Sequence, residues 1–124
     1  MRAKIRGFCE VVNSGIHPVQ NLKVLEKVEK DYGENRKNWA VFWLQQGLST
    51  LEGLIEQNNK GSKYIFGENV TGADVFLFPQ VYNAKVRYGI DIKEYPNVFR
   101  IFSNLEKVKE FTDAAPDKQK DFEP

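Results

Sequence analysis

Apolar residues return at helical spacing along nearly the whole chain. Ile5, Phe8, Cys9, Val12 and Ile16 form one stripe, and Leu22, Leu25 and Val28 resume it beyond Pro18. The pattern predicts one long helix kinked near Pro18. Proline lacks a backbone donor and crowds the preceding turn, and Gly15 weakens the helix further. The polar run "KDYGENRKN" breaks the period and reads as a connection. Trp39, Phe42, Trp43, Leu44, Leu48, Leu51, Leu54 and Ile55 then give a second long helix with a wide apolar face. "QNNKGSKYIFGEN" is a loop anchored by Tyr64, Ile65 and Phe66. Another helix opens at Thr71, and a last one opens at Pro96 with Val98, Ile101, Phe102, Leu105, Val108 and Phe111 on its buried face. No stretch alternates with period two. The predicted fold class is all-α, with about five helices when the first is counted as two around its kink. Residues 1–112 are expected to form one helical domain, and 113–124, "DAAPDKQKDFEP", an extended tail.

The segment "NVTGADVFLFPQVYNA" carries the clearest local signal. Thr71 suits an N-cap, its hydroxyl facing the unpaired donors of the first turn. Asp74, three residues on, suits a return bond to the N-cap amide, a variant of the capping box. Val70 and Val75 flank the box as a hydrophobic staple. A metal or acid-base role for Asp74 finds no second carboxylate or histidine at helical spacing. The run that follows is apolar on nearly all sides, which predicts the central helix of the domain with Asp74 partly buried.

Composition narrows the function. With 124 residues, 41% apolar and 13% aromatic, the chain fills one core. The 18 Lys and Arg balance 17 Asp and Glu and are interspersed, which gives no footprint for nucleic acid. The longest apolar run, Trp39 to Leu44, is far short of the ~20 residues a membrane span needs. The amino terminus has no signal-peptide core, so a cytoplasmic home is expected. Cys9 and His17 are the only residues of their kinds, which excludes an internal disulfide and a four-ligand cysteine/histidine zinc site; no metal is expected. On one helix they would be separated by ~12 Å of rise, too far for a nucleophile and its base. Cys9 reads as core packing, and Trp39 and Trp43 as core or interface anchors.

The Thr-x-Ala-Asp opening of a buried central helix resembles the signature of the carboxy-terminal helical domain of cytosolic glutathione transferases. "SGIHPVQNLKVL", "GLSTLEGLI", "GENVTGADVFLFPQVYNA", "VRYGIDI", "EYP" and "APDKQKDFEP" together resemble the zeta class, the maleylacetoacetate isomerases, over essentially the whole chain. The resemblance implies a glutathione transferase C-terminal-like helical bundle. It implies participation in the glutathione-dependent cis-trans isomerisation of maleylacetoacetate to fumarylacetoacetate in tyrosine and phenylalanine breakdown. In the family the kink region contacts glutathione and substrate. That carries over to His17, which stands where the family has glutamine, and to Asn21 and Leu25, while Arg87 is implied to hold a substrate carboxylate. Read from the residues alone, His17 is equally a solvated histidine, Asn21 a helix cap, and Arg87 a surface ion-pair partner of Asp91 or Glu94. Tyr82 and Tyr88 are further candidates for the cleft wall. The family's Ser-Ser-Cys-Ser motif and a βαβ pattern do not occur here. The thioredoxin-like amino-terminal domain that binds most of the glutathione is therefore expected to be missing, with no catalytic residue in this chain and little or no activity for the chain alone. The alternative is a non-enzymatic interaction module of the same fold. In either case self-association or a homodimer through exposed helical faces is expected.

Overall fold

The computed structural model describes residues 1–122, and the last two residues of the expected tail lie outside them. Six α-helices account for most of the chain: α1 (Arg2–Glu10), α2 (Leu22–Tyr32), α3 (Arg36–Asn58), α4 (Gly72–Val86), α5 (Pro96–Leu105) and α6 (Lys109–Asp113). Among the described residues there is no strand, only an isolated bridge between Tyr64 and Gly67.

The predicted kinked first helix is instead a break. A π-helical segment, Val11–Ile16, follows α1, and a 3-10 turn, Pro18–Gln20, follows that. The His17 amide donates to the Val12 carbonyl at 3.0 Å, the five-residue reach of a π-turn. Asn21 is then extended at ψ 140°, and its Oδ1 accepts from the Lys23 amide, which starts α2 afresh. Proline thus ends one helix, and asparagine caps another. The last expected helix also divides, since Val108 leaves helical geometry at ψ 117° and α6 begins after it. Beyond Asp113 the chain forms a further 3-10 turn, Pro116–Lys118.

The core gathers around α4. Ala73, Leu77, Val81 and Ala84 are fully buried, with Phe78 nearly so; they pack against Phe8 and Val12 of the first segments, Leu44, Leu48, Leu51 and Ile55 of α3, and Val98, Ile101 and Phe102 of α5. Phe78 stacks on Phe102 with ring centroids 4.9 Å apart. Gly47 of α3 allows the π-segment to come close: a Cβ there would lie 2.3 Å from Ile16 Cδ1. Two long-range polar clamps fix the remaining ends. The Glu52 carboxylate of α3 accepts from the Asn97 and Val98 amides at 3.0 and 2.8 Å, capping α5 from another helix. Asn59 and Arg100 together tie down the 59–65 loop through Ser62, Tyr64 and Ile65 carbonyls.

The predicted capping box is present. Asp74 Oδ2 accepts from the Thr71 amide at 2.8 Å and from its hydroxyl at 2.9 Å. Oδ1 takes a third bond, 3.0 Å from the buried Ile65 amide, so Asp74 also pins the preceding loop. It is fully buried, beyond the partial burial expected. Val70 and Val75, which flank the box, are 40% and 52% exposed, and both border a cleft.

Candidate functional site

One face of α4 forms a wall of a cleft of about 610 Å³, with α6 and the segment after it opposite. The lining is mostly apolar. Phe78, Tyr82 and Val86 come from α4, and Phe111, Ala115 and Pro116 close the far side. Its polar groups are few: Asn83, Arg87, Glu110 and the Tyr82 hydroxyl. Burial pushes the Tyr82 phenol above its ordinary pKa, and the Asp117 carboxylate adds to the effect. A concave apolar cavity with a small number of convergent polar groups is the usual form of a small-molecule site.

Arg87 sits at the carboxyl end of α4, its amide bonded to the Asn83 carbonyl at 3.0 Å. Residues four apart share a helix face, which places Asn83 and Arg87 side by side on the cleft wall. The guanidinium lies 5.7 Å from the centroid of the Tyr88 ring, a cation-π distance. Among the described residues Arg87 makes no ion pair, with Asp91, Glu94 or any other carboxylate. Its donors are therefore available to an anionic ligand.

The other expected site residues do not line this cleft. His17 is exposed at the start of the 3-10 turn. Asn21 is exposed, and its Oδ1 is spent on capping α2, which leaves the Nδ2 donor free. Leu25 is 3% exposed and belongs with Val28 to the buried stripe of α2. Its helical period, an apolar residue every three to four positions, carries it inward and away from any open wall.

Three side chains join the turn to the cleft, none of them singled out by the sequence. The Gln20 Nε2 donates to Gln80 Oε1 at 3.0 Å, and Asn83 Nδ2 donates to Gln20 Oε1 at 3.3 Å. Trp39 of α3 holds the same turn from behind, its Nε1 donating to the Val19 carbonyl at 2.9 Å. The partners are 20 to 63 residues apart, so no local pattern could have found them. The only sequence signal was the cluster of amide side chains in "HPVQN" and "PQVYNA". No group of three or more His, Cys, Asp and Glu side chains capable of holding a metal occurs among the described residues. None of the helices is long and apolar enough to cross a membrane.

Comparison with known proteins gives this geometry a context. The family described as glutathione S-transferase, C-terminal domain, matches residues 24–102. Maleylacetoacetate isomerase of Dictyostelium discoideum is 38% identical over 125 residues, which cover 99% of this chain and 56% of that protein. The crystal structure of maleylacetoacetate isomerase from Anaeromyxobacter dehalogenans superposes with a TM-score of 0.91 at 35% identity, covering 99% of this chain and 57% of that one. The same enzyme with glutathione bound in its active site gives a TM-score of 0.89, again at 35% identity, covering 97% and 54%. A holo structure of maleylpyruvate isomerase, a bacterial zeta-class glutathione transferase, gives 0.91 at 30% identity, covering 98% and 58%. The chain spans about half the length of the curated relatives it matches.

Proposed function

This chain belongs to the glutathione S-transferase C-terminal domain family, and from that premise we propose that it forms the substrate-side half of a zeta-class, glutathione-dependent isomerase. The reaction is the conversion of maleylacetoacetate to fumarylacetoacetate in tyrosine and phenylalanine catabolism. The observation that carries the reading is the apolar cleft with Arg87 unpaired on its wall, next to Asn83. A planar guanidinium is suited to bidentate recognition of a carboxylate, and the apolar lining suits the carbon chain between carboxylates.

The residues around the turn fit glutathione. Asn21 keeps a free amide donor, and it stands at the amino end of an eleven-residue helix, where orphan backbone donors favour carboxylates and peptide carbonyls. His17 adds an exposed ring beside it. When bound, glutathione supplies a thiol for reversible addition to a carbon-carbon double bond. The chain's own part is to bind, orient and exclude water. Arg87 holds a carboxylate, Phe78, Val86 and Phe111 remove water from the carbon chain, and the Tyr82 hydroxyl adds a polar group to the same wall. Leu25 supports α2 from within. The groups that activate the thiol belong to the thioredoxin-like half of such an enzyme, so this chain has little or no turnover by itself. We place the activity in the cytoplasm, where glutathione is kept reduced, and assign the protein a homodimeric assembly.

The test is calorimetric titration of the chain with glutathione, first alone and then mixed with a separately produced thioredoxin-like domain of the zeta class. Binding and isomerase turnover in the mixture, reduced at least tenfold by Arg87→Leu without a change in melting temperature, is the expected result. Absence of association and of glutathione binding would reject the enzyme reading. One observation favours a second reading, an interaction module without catalysis. Phe42 is 53% exposed beside Trp43, with ring centroids 5.2 Å apart, an aromatic face suited to a protein partner.

A further inference from the structure

Gln80 is 1% exposed, in the centre of α4, and its Nε2 is the one buried side-chain polar atom among the described residues without a hydrogen-bond partner. Buried donors are rarely left unpaired, because desolvation is not repaid. The cause is the direction of the amide chain. Asn83 donates to Gln20, Gln20 donates to Gln80, and Gln80 has nothing to donate to.

An amide has nearly the same shape after half a turn about its last bond, because its oxygen and nitrogen are close to isosteric. If all three amides turn, each contact is kept with donor and acceptor exchanged. Gln80 Nε2 then donates to Gln20 Oε1, and Gln20 Nε2 donates to Asn83 Oδ1. The orphan donor becomes an orphan carbonyl oxygen, the less costly defect. At the other end the change reaches the cleft. In the polarity described, Asn83 spends Nδ2 on Gln20, and its Oδ1 acceptor is what remains for a ligand; after reversal its Nδ2 donor is free, one helical turn from the Arg87 guanidinium.

We propose that Gln80, Gln20 and Asn83 form an amide relay that turns as a unit, and that in its reversed polarity Asn83 joins Arg87 as the second arm of a carboxylate clamp. Asn83 is a ligand-binding residue in this assignment, and Gln20 and Gln80 are positioning residues acting through it. The ligand class is a carboxylate with an apolar chain, its charged end on the Asn83 and Arg87 side of the cleft and away from Glu110. Without reversal the clamp offers such a ligand one cation and one repelling carbonyl oxygen; with reversal it offers donors throughout. The relay deepens the proposed substrate site and rests on that reading for its ligand, but its polarity is a property of the chain itself.

The experiment uses the full chain labelled with 15N and 13C. Succinate is the probe, and its dimethyl ester is the control without a carboxylate. Scalar coupling across the hydrogen bond between Gln80 Nε2 and Gln20 Cδ reports the reversed polarity; coupling between Gln20 Nε2 and Gln80 Cδ reports the other. Succinate is expected to drive the first coupling to dominance and the diester to leave it unchanged. Gln20→Glu supplies acceptors to both neighbours, satisfies Gln80 Nε2 and holds Asn83 with its oxygen toward the cleft. Its melting temperature should hold or rise while succinate affinity falls about tenfold. Asn83→Asp should lose at least tenfold.

If Arg87→Leu loses succinate while Asn83→Asp and Gln20→Glu bind as wild type, the relay is wrong and the substrate site stands. If succinate fails to bind the wild type, the carboxylate assignment falls for both. Dominance of the Gln20 Nε2 coupling at saturating succinate overturns the relay whatever the affinities.

Discussion

Asp74→Ala removes one carboxylate and with it three hydrogen bonds. The acceptor is fully buried, and the bonds come from the Ile65 amide at 3.0 Å, the Thr71 amide at 2.8 Å and the Thr71 hydroxyl at 2.9 Å. The three donors differ in what happens to them next. Ile65 is fully buried, so its N–H is left without water or protein; a buried donor that has lost a charged acceptor costs about 2–3 kcal/mol. Thr71 is only half-buried, and water reaches its amide at a loss of about 1 kcal/mol, the size of an N-cap effect. The hydroxyl rotates to a new partner at little cost. The sum is about 3–4 kcal/mol, against a total of about 5–15 kcal/mol for an ordinary domain. In urea, with a slope of about 1.5 kcal/mol/M, the midpoint should fall by about 2 M, read by far-UV circular dichroism. Asp74→Asn should lose nearly as much, because one of its two polar atoms is a donor set against a donor. A loss below about 1 kcal/mol for the alanine variant, or wild-type stability for the asparagine variant, would refute the claim that this residue joins the loop to α4.

Other outcomes follow from packing and charge. Glu52→Ala leaves the first amides of α5 uncapped and should cost about 1–3 kcal/mol in the same denaturation assay, although Glu52 lies in a different helix from the one it stabilises. Gly47→Ala drives a methyl group into Ile16 and should cost about 1–3 kcal/mol; adding Ile16→Ala should recover part of it, so the double variant loses less than the sum of the two. The Cys9 thiol is pushed above its ordinary pKa by burial, with the Glu10 and Asp74 carboxylates adding to it, so iodoacetamide at pH 8 should alkylate it several-fold more slowly than an unstructured cysteine peptide. Burial, then the Glu94 carboxylate, raise the Tyr95 phenol likewise. Both groups titrate higher in the folded state than in the unfolded one. Their contribution to stability is therefore complete below the unfolded values and is lost as pH rises through the folded ones; a pH series of melting curves should show stability falling on the alkaline side, above about pH 9.

Local chemistry was the legible part. The capping box could be read because Thr71 and Asp74 are three residues apart and the donors they satisfy lie within the same turn. The buried faces of α3, α4 and α5 followed from period alone, and the run after Asp74 marked the central helix because it is apolar in every direction. The family likeness covered the chain because short motifs such as "PVQNLKVL" and "PQVYNA" keep their order.

In the first helical stretch, residues close in sequence do not decide the conformation. Its period resumes beyond Pro18 as if one helix continued, yet the chain divides there into a π-segment, a 3-10 turn and a newly capped helix. Proline announces a disturbance but does not say which one. The choice is settled by Gly47, which lets Ile16 approach α3, and by Trp39, which holds the Val19 carbonyl. Leu25 illustrates the converse: period sent it to the core, and likeness to a binding segment drew it into the expected site.

What the sequence determined by itself is the all-helical class, which faces of the main helices are apolar, and the family, since each is written in neighbours a few residues apart. The tertiary structure alone decided that α6 and the segment after it face Asn83 and Arg87 across a cleft, that Gln20 and Gln80 meet, and that Glu52 caps α5. Each of these depends on side chains brought together from distant positions. A hydrogen bond needs its partners within about 3 Å, and only packing of the helices around α4 fixes distances of that size between residues tens of positions apart.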